Sequence, residues 1–213
     1  MDKIAKKVAE MLLDIEAIKL RPQEPFRWAS GWFSPIYCDN RMVLSFPKVR
    51  DYIKKSFVET SKARFADAQL IAGVATAGIA HGALLADALN LPFAYVRPKP
   101  KEHGMGNLIE GKIEAGQKVV VVEDLISTGG SSLKAVEAIR EAGAEVIGMV
   151  AIFSYNFPIS EENFKNAGVP LVTLSNYQNL IIQAVDKEII TEEMMASLQE
   201  WRVAPEKWNQ PKE

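Results

Sequence analysis

Cysteine and histidine are scarce: among 213 residues there is one cysteine, Cys38, and two histidines, His81 and His103. One cysteine excludes a disulfide framework and a thiolate zinc site within the chain, and it fits a reducing compartment. Two histidines are too few for a His-based metal cage. Charge of one sign is also missing. Lys and Arg total 25 against 27 Asp and Glu, a formal net charge of −2, so no nucleic-acid coat, membrane-surface binder or acidic tail is expected. No apolar run approaches the roughly 18 residues of a membrane-spanning helix, and MDKIAKKVAEMLLD carries charges where a signal peptide would be apolar. Repeats, low-complexity tracts and linkers are absent as well. The expectation is a cytoplasmic globular protein with neither nucleic acid nor membrane as partner. The length leaves no room for a fused (β/α)₈ barrel, which needs roughly 200 further residues.

What is present is ample core material, 48% of the residues being hydrophobic, arranged in an alternating pattern. Ile4, Val8, Met11/Leu12, Ile15 and Ile18/Leu20 recur at helical spacing and predict an amphipathic helix of about five turns. FRWASGWFSPIYCDNRMVLS, broken at Ser30-Gly31 and Ser34-Pro35, reads as a hairpin-like pair of short strands. Cys38 within it reads as a packed thiol. From Pro47 onward helices and short apolar strands alternate: PKVRDYIKKSFVET, QLIAGV, GIAHGALLADALN, FAYVR, KVVVVED, GGSSLKAVEAIREAGA, EVIGMVAIFS, EENFKNAG and PLVTLS. Helices over 177–186 and 191–202 follow, with Trp201 and Trp208 docking the end of the chain. Strands separated by helices imply parallel crossovers. The fold class is therefore α/β, a mainly parallel central sheet flanked by helices. Residues 1–46 are expected to form a small N-terminal hood and residues 47–213 the core, in one compact unit.

In such sheets ligands bind beyond the carboxyl ends of the strands, which directs attention to VVVVEDLISTGGSSL (residues 119–133). A four-valine strand ends in Glu123 and Asp124, then runs through Leu125 and Ile126 into Ser127, Thr128, Gly129, Gly130 and Ser131 at a helix start. Hydroxyls, unencumbered backbone N–H groups and a helix N-terminus make a phosphate cradle. There is no Gly-Lys-Ser/Thr, so this is not a P-loop, and no GxGxxG after the strand, which speaks against a dinucleotide site. Carboxylates repel a phosphate unless they hold something else on the same molecule: hydroxyls, a magnesium ion or developing positive charge. A sugar phosphate satisfies both demands. A second strand end carries RPKPKEHGMGNLIEG (97–111), where Arg97, Lys99, Lys101 and His103 gather cations in a segment too rich in Pro and Gly for regular structure, suited to covering an anionic ligand.

The string VVVVEDLISTGGSS resembles the 5-phosphoribosyl-1-diphosphate (PRPP) motif of type I phosphoribosyltransferases. The pattern Arg97, Lys101, His103, Gly104-x-Gly106 resembles the catalytic loop of the orotate phosphoribosyltransferase family. FRWASGWFSPIYCDNR (26–41) resembles that family's substrate-enclosing segment, and GVATAGIAHG (73–82), with Thr76 and Ala77, its pyrophosphate-binding turn. The resemblance spans about residues 1–186. It implies transfer of the phosphoribosyl group from PRPP to orotate, giving orotidine 5′-phosphate and pyrophosphate, with Mg²⁺ as cofactor. It further implies a homodimer whose basic loop reaches the partner's site. By the same resemblance Lys101, His103 and Asp124 serve catalysis. Arg97, Lys101, His103, Glu123, Asp124, Leu125, Ile126, Ser127, Thr128, Gly129, Gly130, Ser131, Thr76 and Ala77 bind PRPP. Ser127, Ser34 and Tyr37 meet orotate, and Asp124 meets the metal mostly through PRPP and water.

The chain departs from the family pattern in two places. Family members often carry a basic residue around Ser-Gly-x-x-Ser-Pro, where this chain has the uncharged Ala29, Trp32 and Phe33, so the orotate carboxylate has no assigned partner. Many also have a lysine directly after the loop arginine, where Pro98 stands here, with Lys99 as a substitute. Two alternatives remain at this level: another nucleobase phosphoribosyltransferase, and a PRPP-sensing regulator that binds nucleic acid.

Overall fold

The structure, a computed structural model, describes residues 2–27, 31–99 and 108–208. In chain order the elements are α1 (Asp2–Asp14), β1 (Ile18–Leu20), β2 (Phe26–Arg27), β3 (Phe33–Ser34), β4 (Ile36–Cys38), a 3₁₀ turn (Asn40–Ser45), α2 (Pro47–Arg64), β5 (Leu70–Val74), α3 (Ala77–Leu89), β6 (Phe93–Val96) and β7 (Ile109–Glu110). Then come β8 (Lys118–Ile126), α4 (Gly130–Glu141), β9 (Glu145–Ser154), α5 (Pro158–Asn166), β10 (Leu171–Asn176), α6 (Tyr177–Asp186) and α7 (Glu192–Val203).

Six strands form one sheet in the order β10-β9-β8-β5-β6-β7. Every neighbouring pair is parallel except β6–β7. Val119, Val120, Val121 and Val122 of β8 are fully buried, as a central strand covered on both faces requires. Val120 and Val122 face one apolar cluster with residues of α1, α2, α3, α6 and α7, while Val119 and Val121 face a second cluster with residues of α4 and α5. The chain leaves β5 toward β6 on one side and leaves β8 toward β9 and β10 on the other. The winding direction therefore reverses between β5 and β8, where an open α/β sheet has its crevice.

Close backbone contact seals that crevice from beneath. A Cβ on Gly78, near the start of α3, would lie 2.4 Å from the Val122 carbonyl oxygen, and one on Gly73 of β5 would lie 2.7 Å from the Gly78 carbonyl oxygen. The start of α3 thus rests directly on β8.

Two expectations are corrected here. The first helix ends at Asp14 instead of running on to Leu20. Glu16 takes a left-handed φ of 55°, and Ile18–Leu20 pairs antiparallel with Ile36–Cys38. Ile18 and Leu20 are buried with Lys19 between them less so; their period-two alternation coincides with the tail of the helical pattern, and strand pairing prevails. In the basic segment, Ile109–Glu110 forms an edge strand on β6, too short to announce itself in sequence.

The end of the chain docks as its tryptophans indicate. Trp201 is fully buried, with ring centroids 5.5 Å from Tyr155, 5.3 Å from Phe157 and 5.6 Å from Tyr177. The Trp208 indole N–H donates to Ser197 Oγ at 3.2 Å. Among the described residues, no helix is long and apolar enough to cross a membrane.

Candidate active site

Strand alternation sends the two acids of β8 to opposite faces. Glu123 follows the odd positions toward α4, where Ser132 Oγ donates to its Oε2 at 3.0 Å; its Oε1 accepts the Asp124 backbone N–H at 2.9 Å. Asp124 follows the even positions toward the hood, and its carbonyl accepts Asn40 Nδ2–H at 2.8 Å. Glu123 is buried and Asp124 half-buried. Burial, then the neighbouring Asp124 charge, pushes Glu123 well above the usual carboxylate range. Burial also raises Asp124, against hydrogen bonding from Glu123 and the nearby Arg41. Both carboxyls are thus harder to ionise than free ones, and Glu123, the more deeply buried, is pushed up the more.

This arrangement gives Glu123 a stability signature. A carboxyl whose folded-state pKa is raised favours the fold while protonated, and that contribution is lost as pH rises from about its ordinary 4.5 through the raised value. Glu123→Gln keeps an acceptor for the Asp124 N–H and a polar partner for Ser132. It is expected to be more stable than wild type by roughly 1 kcal/mol at pH 7.5, with the advantage shrinking toward pH 4.5. Urea midpoints across that range measure it; an equal gap at both ends would contradict the raised Glu123 pKa.

Beyond the acids, Gly129 adopts φ 84° and precedes α4, whose first turn has no side-chain cap. Its first N–H groups have no side-chain acceptor, the arrangement of a helix start able to take an anion. Gly73 of β5 pairs with Val122 of β8, so the Ala75–Thr76 turn after β5, whose peptide is cis, lies beside the Asp124–Ser131 loop. Val96 of β6 pairs with Val74 of β5, which brings Arg97 alongside. A cavity of about 700 Å³ joins these strand ends, lined in part by Ala75, Arg97, Ser131 and Lys134. Lys134 is a cation the sequence reading passed over; it stands one helical turn after Gly130, and helical spacing from the cradle would have found it. Arg97 Nη1 pairs with Glu110 Oε1 at 3.5 Å.

The hood closes over the other face of β8. Asn40 is buried and ties the hood to the strand end, while Arg41 grips Asp39 at 2.6 Å. Cys38 is a free thiol, and burial pushes its pKa well up, in keeping with a packed group. His81, on α3, is buried too; burial lowers its pKa to about 4, beside the Asn40 backbone.

Residues 43–176 match the family described as "Phosphoribosyl transferase domain". A Cytophaga hutchinsonii protein named orotate phosphoribosyltransferase is 60% identical over 203 residues, 95% of this chain and 97% of its own. Its namesake from Bacteroides thetaiotaomicron is 58% identical over 209 residues, 98% and 99% of the two chains. The chain belongs to the orotate phosphoribosyltransferase family. The crystal structure of orotate phosphoribosyltransferase from Aeropyrum pernix has the same fold, with a TM-score of 0.73 at 30% identity over 85% of this chain and 97% of that one.

Within this orotate phosphoribosyltransferase fold, the residues assigned to PRPP are spread over two cavities and the strand between them. Arg97, Gly130 and Ser131 line the cavity of about 700 Å³, with Thr76 and Ala77 following its Ala75, while Ser127 and Thr128 line a second, smaller one and Asp124 turns toward the hood. Glu123 turns toward α4, and Ile126 is part of the core, as its complete burial shows, its carbonyl accepting the Tyr155 N–H at 3.1 Å; Leu125 is half-buried. Of the orotate residues, Ser127 lines the smaller cavity, together with Trp32 and Phe157. Ser34 is buried, donating to the Ile36 carbonyl at 2.9 Å and accepting the Ile36 N–H at 3.2 Å. Tyr37 is exposed, its ring 5.6 Å from Phe26. Lys101 and His103 lie outside the described residues, as does Ala29.

Proposed function

We propose that the protein transfers the 5-phosphoribosyl group of PRPP to orotate, releasing orotidine 5′-phosphate and pyrophosphate, a step of pyrimidine biosynthesis. The observation that carries this reading is the seating of the paired-acid strand end beside the Ala75–Thr76 turn, at the point where the sheet reverses its winding. The uncapped start of α4 and the hydroxyls of Ser127, Thr128 and Ser131 hold the 5-phosphate. The Asp124 carboxylate orients the ribose hydroxyls and faces the positive charge that develops as the C1–O bond loosens. Glu123 fixes Asp124 from behind by accepting its backbone N–H. Thr76 and Arg97 receive the pyrophosphate side.

Mg²⁺ fits this donor set. Among the described residues no group of three or more His, Cys, Asp or Glu is placed to hold a metal, and Mg²⁺ characteristically binds one or two carboxylates together with substrate phosphates and water. Asp124 would hold it, largely through PRPP oxygens and water, and the ion would supply positive charge to the departing pyrophosphate. Consumption of orotate, followed by its absorbance with PRPP and Mg²⁺ and with EDTA as control, tests the reading. No orotate loss under those conditions overturns it.

Lys101 is the proposed cation on the leaving group, delivered across a homodimer interface in the cytoplasm. Lys101→Ala is expected to lower kcat by about 10²–10³-fold while the KM for PRPP moves far less, as befits an interaction made mainly in the transition state. Mixed with an Asp124→Asn subunit it is expected to recover part of its activity, since one of the two shared sites is then intact. An unchanged kcat removes the lysine from the reaction; a confirmed heterodimer without recovered activity confines the site to one subunit.

A further inference from the structure

The far end of the chain reaches the phosphate loop. Trp201 anchors α7 in an aromatic pocket, and the Tyr177 hydroxyl donates to the Leu198 carbonyl at 2.8 Å. The next residue after that anchor, Arg202, places Nη2 on the Asn156 carbonyl at 3.2 Å. That carbonyl lies just past β9, where the Tyr155 N–H donates to the Ile126 carbonyl of β8 at 3.1 Å. Arg202 lines a cavity of about 270 Å³ together with Ser127 and Thr128 of the cradle, Trp32 of the hood, and Phe157. Arg202 Nε is buried with no hydrogen-bond partner, and among the described residues no carboxylate lies within ion-pair distance of the guanidinium. Glu206 lines the same cavity but is exposed and does not pair with it.

A partly buried arginine with an orphaned N–H is costly unless an anion completes it. The cavity holds a single six-membered ring, being smaller than most nucleotide sites, and it offers the flat apolar surfaces of Trp32 and Phe157 beside the Ser127 hydroxyl. We infer that Arg202 receives the carboxylate of the acceptor pyrimidine, supplying from the C-terminal helix the cation that Trp32 and Phe33 do not supply from the hood. This inference rests on orotate being the acceptor. A planar guanidinium matches a carboxylate through two parallel N–H donors, which a lysine ammonium does not reproduce.

The test compares orotate with its neutral amide, uracil-6-carboxamide, as ligands of wild type, Arg202→Gln and Arg202→Lys, with PRPP affinity measured alongside by calorimetry. Arg202→Gln is expected to weaken orotate by about 10–100-fold, to change the amide by less than about threefold, and to leave PRPP unaltered. Arg202→Lys is expected to regain part of the loss for orotate alone. Equal weakening of orotate and amide would make Arg202 a packing residue and overturn the inference, as would unchanged orotate binding. Should the glutamine variant fold poorly, the orotate-to-amide ratio in the lysine variant decides, since a ratio equal to wild type also overturns it. Wild type that consumes no orotate would instead remove the assigned reaction, a failure readable without either variant.

Discussion

Asp124→Asn is expected to lower kcat/KM for PRPP by about 10²-fold or more while leaving the protein folded. Asparagine keeps the shape, and the Asn40 hydrogen bond is unaffected because it goes to the backbone carbonyl. What disappears is the carboxylate of the less buried acid of the pair, the one whose pKa is raised less. A neutral amide offers weaker hydrogen bonds to ribose hydroxyls and no counterweight to a positively charged sugar in the transition state. Removing a partly buried anion also relieves desolvation, so the melting temperature is expected to hold or rise. Steady-state kinetics with varied PRPP, read beside a melting curve, check both halves. Wild-type kinetics would take Asp124 out of the site.

Gly78→Ala is expected to have the largest effect on stability, about 2–4 kcal/mol. Its Cβ would sit 2.4 Å from the Val122 carbonyl oxygen and 3.3 Å from the carbonyl carbon, and a central strand cannot retreat from such a contact. Either α3 lifts or β8 bends, and both displace Thr76 relative to Asp124, so activity falls with stability. Gly130→Ala is the matched control, because a Cβ there meets nothing nearer than Thr128 Oγ1 at 3.9 Å. Denaturant midpoints of the two variants should differ clearly; equal midpoints would mean that the close approach of α3 to β8 is not rigid.

Much of this could be read from sequence because the chemistry is local. A four-valine run, two acids and a Ser/Thr/Gly stretch are contiguous, and burial on both faces forces the run into the sheet's centre. Thr76 and Arg97 were legible for the same reason: each follows its own strand. The hidden parts are those that depend on pairing between distant segments. Ile18 and Leu20 fit a helix until β4 offers them a partner. Glu123 and Asp124 look alike in a string, and only the strand's alternation separates the buried acid facing α4 from the half-buried one facing the hood. Arg202 stands 75 positions after Ser127 in the numbering, with no motif joining them; the aromatic clasp around Trp201 does so in space.

The stem of the basic segment has a practical corollary. The Arg97 N–H donates to the Leu108 carbonyl at 2.8 Å, Val96 pairs with Ile109, and Tyr95 with Glu110. These three pairings hold the two ends of the intervening stretch side by side. For a flexible connection, each doubling of length adds only about 0.6 kcal/mol of ring-closure entropy. Replacements of different size between the two ends are therefore expected to leave the scaffold beneath folded, which a melting curve would check.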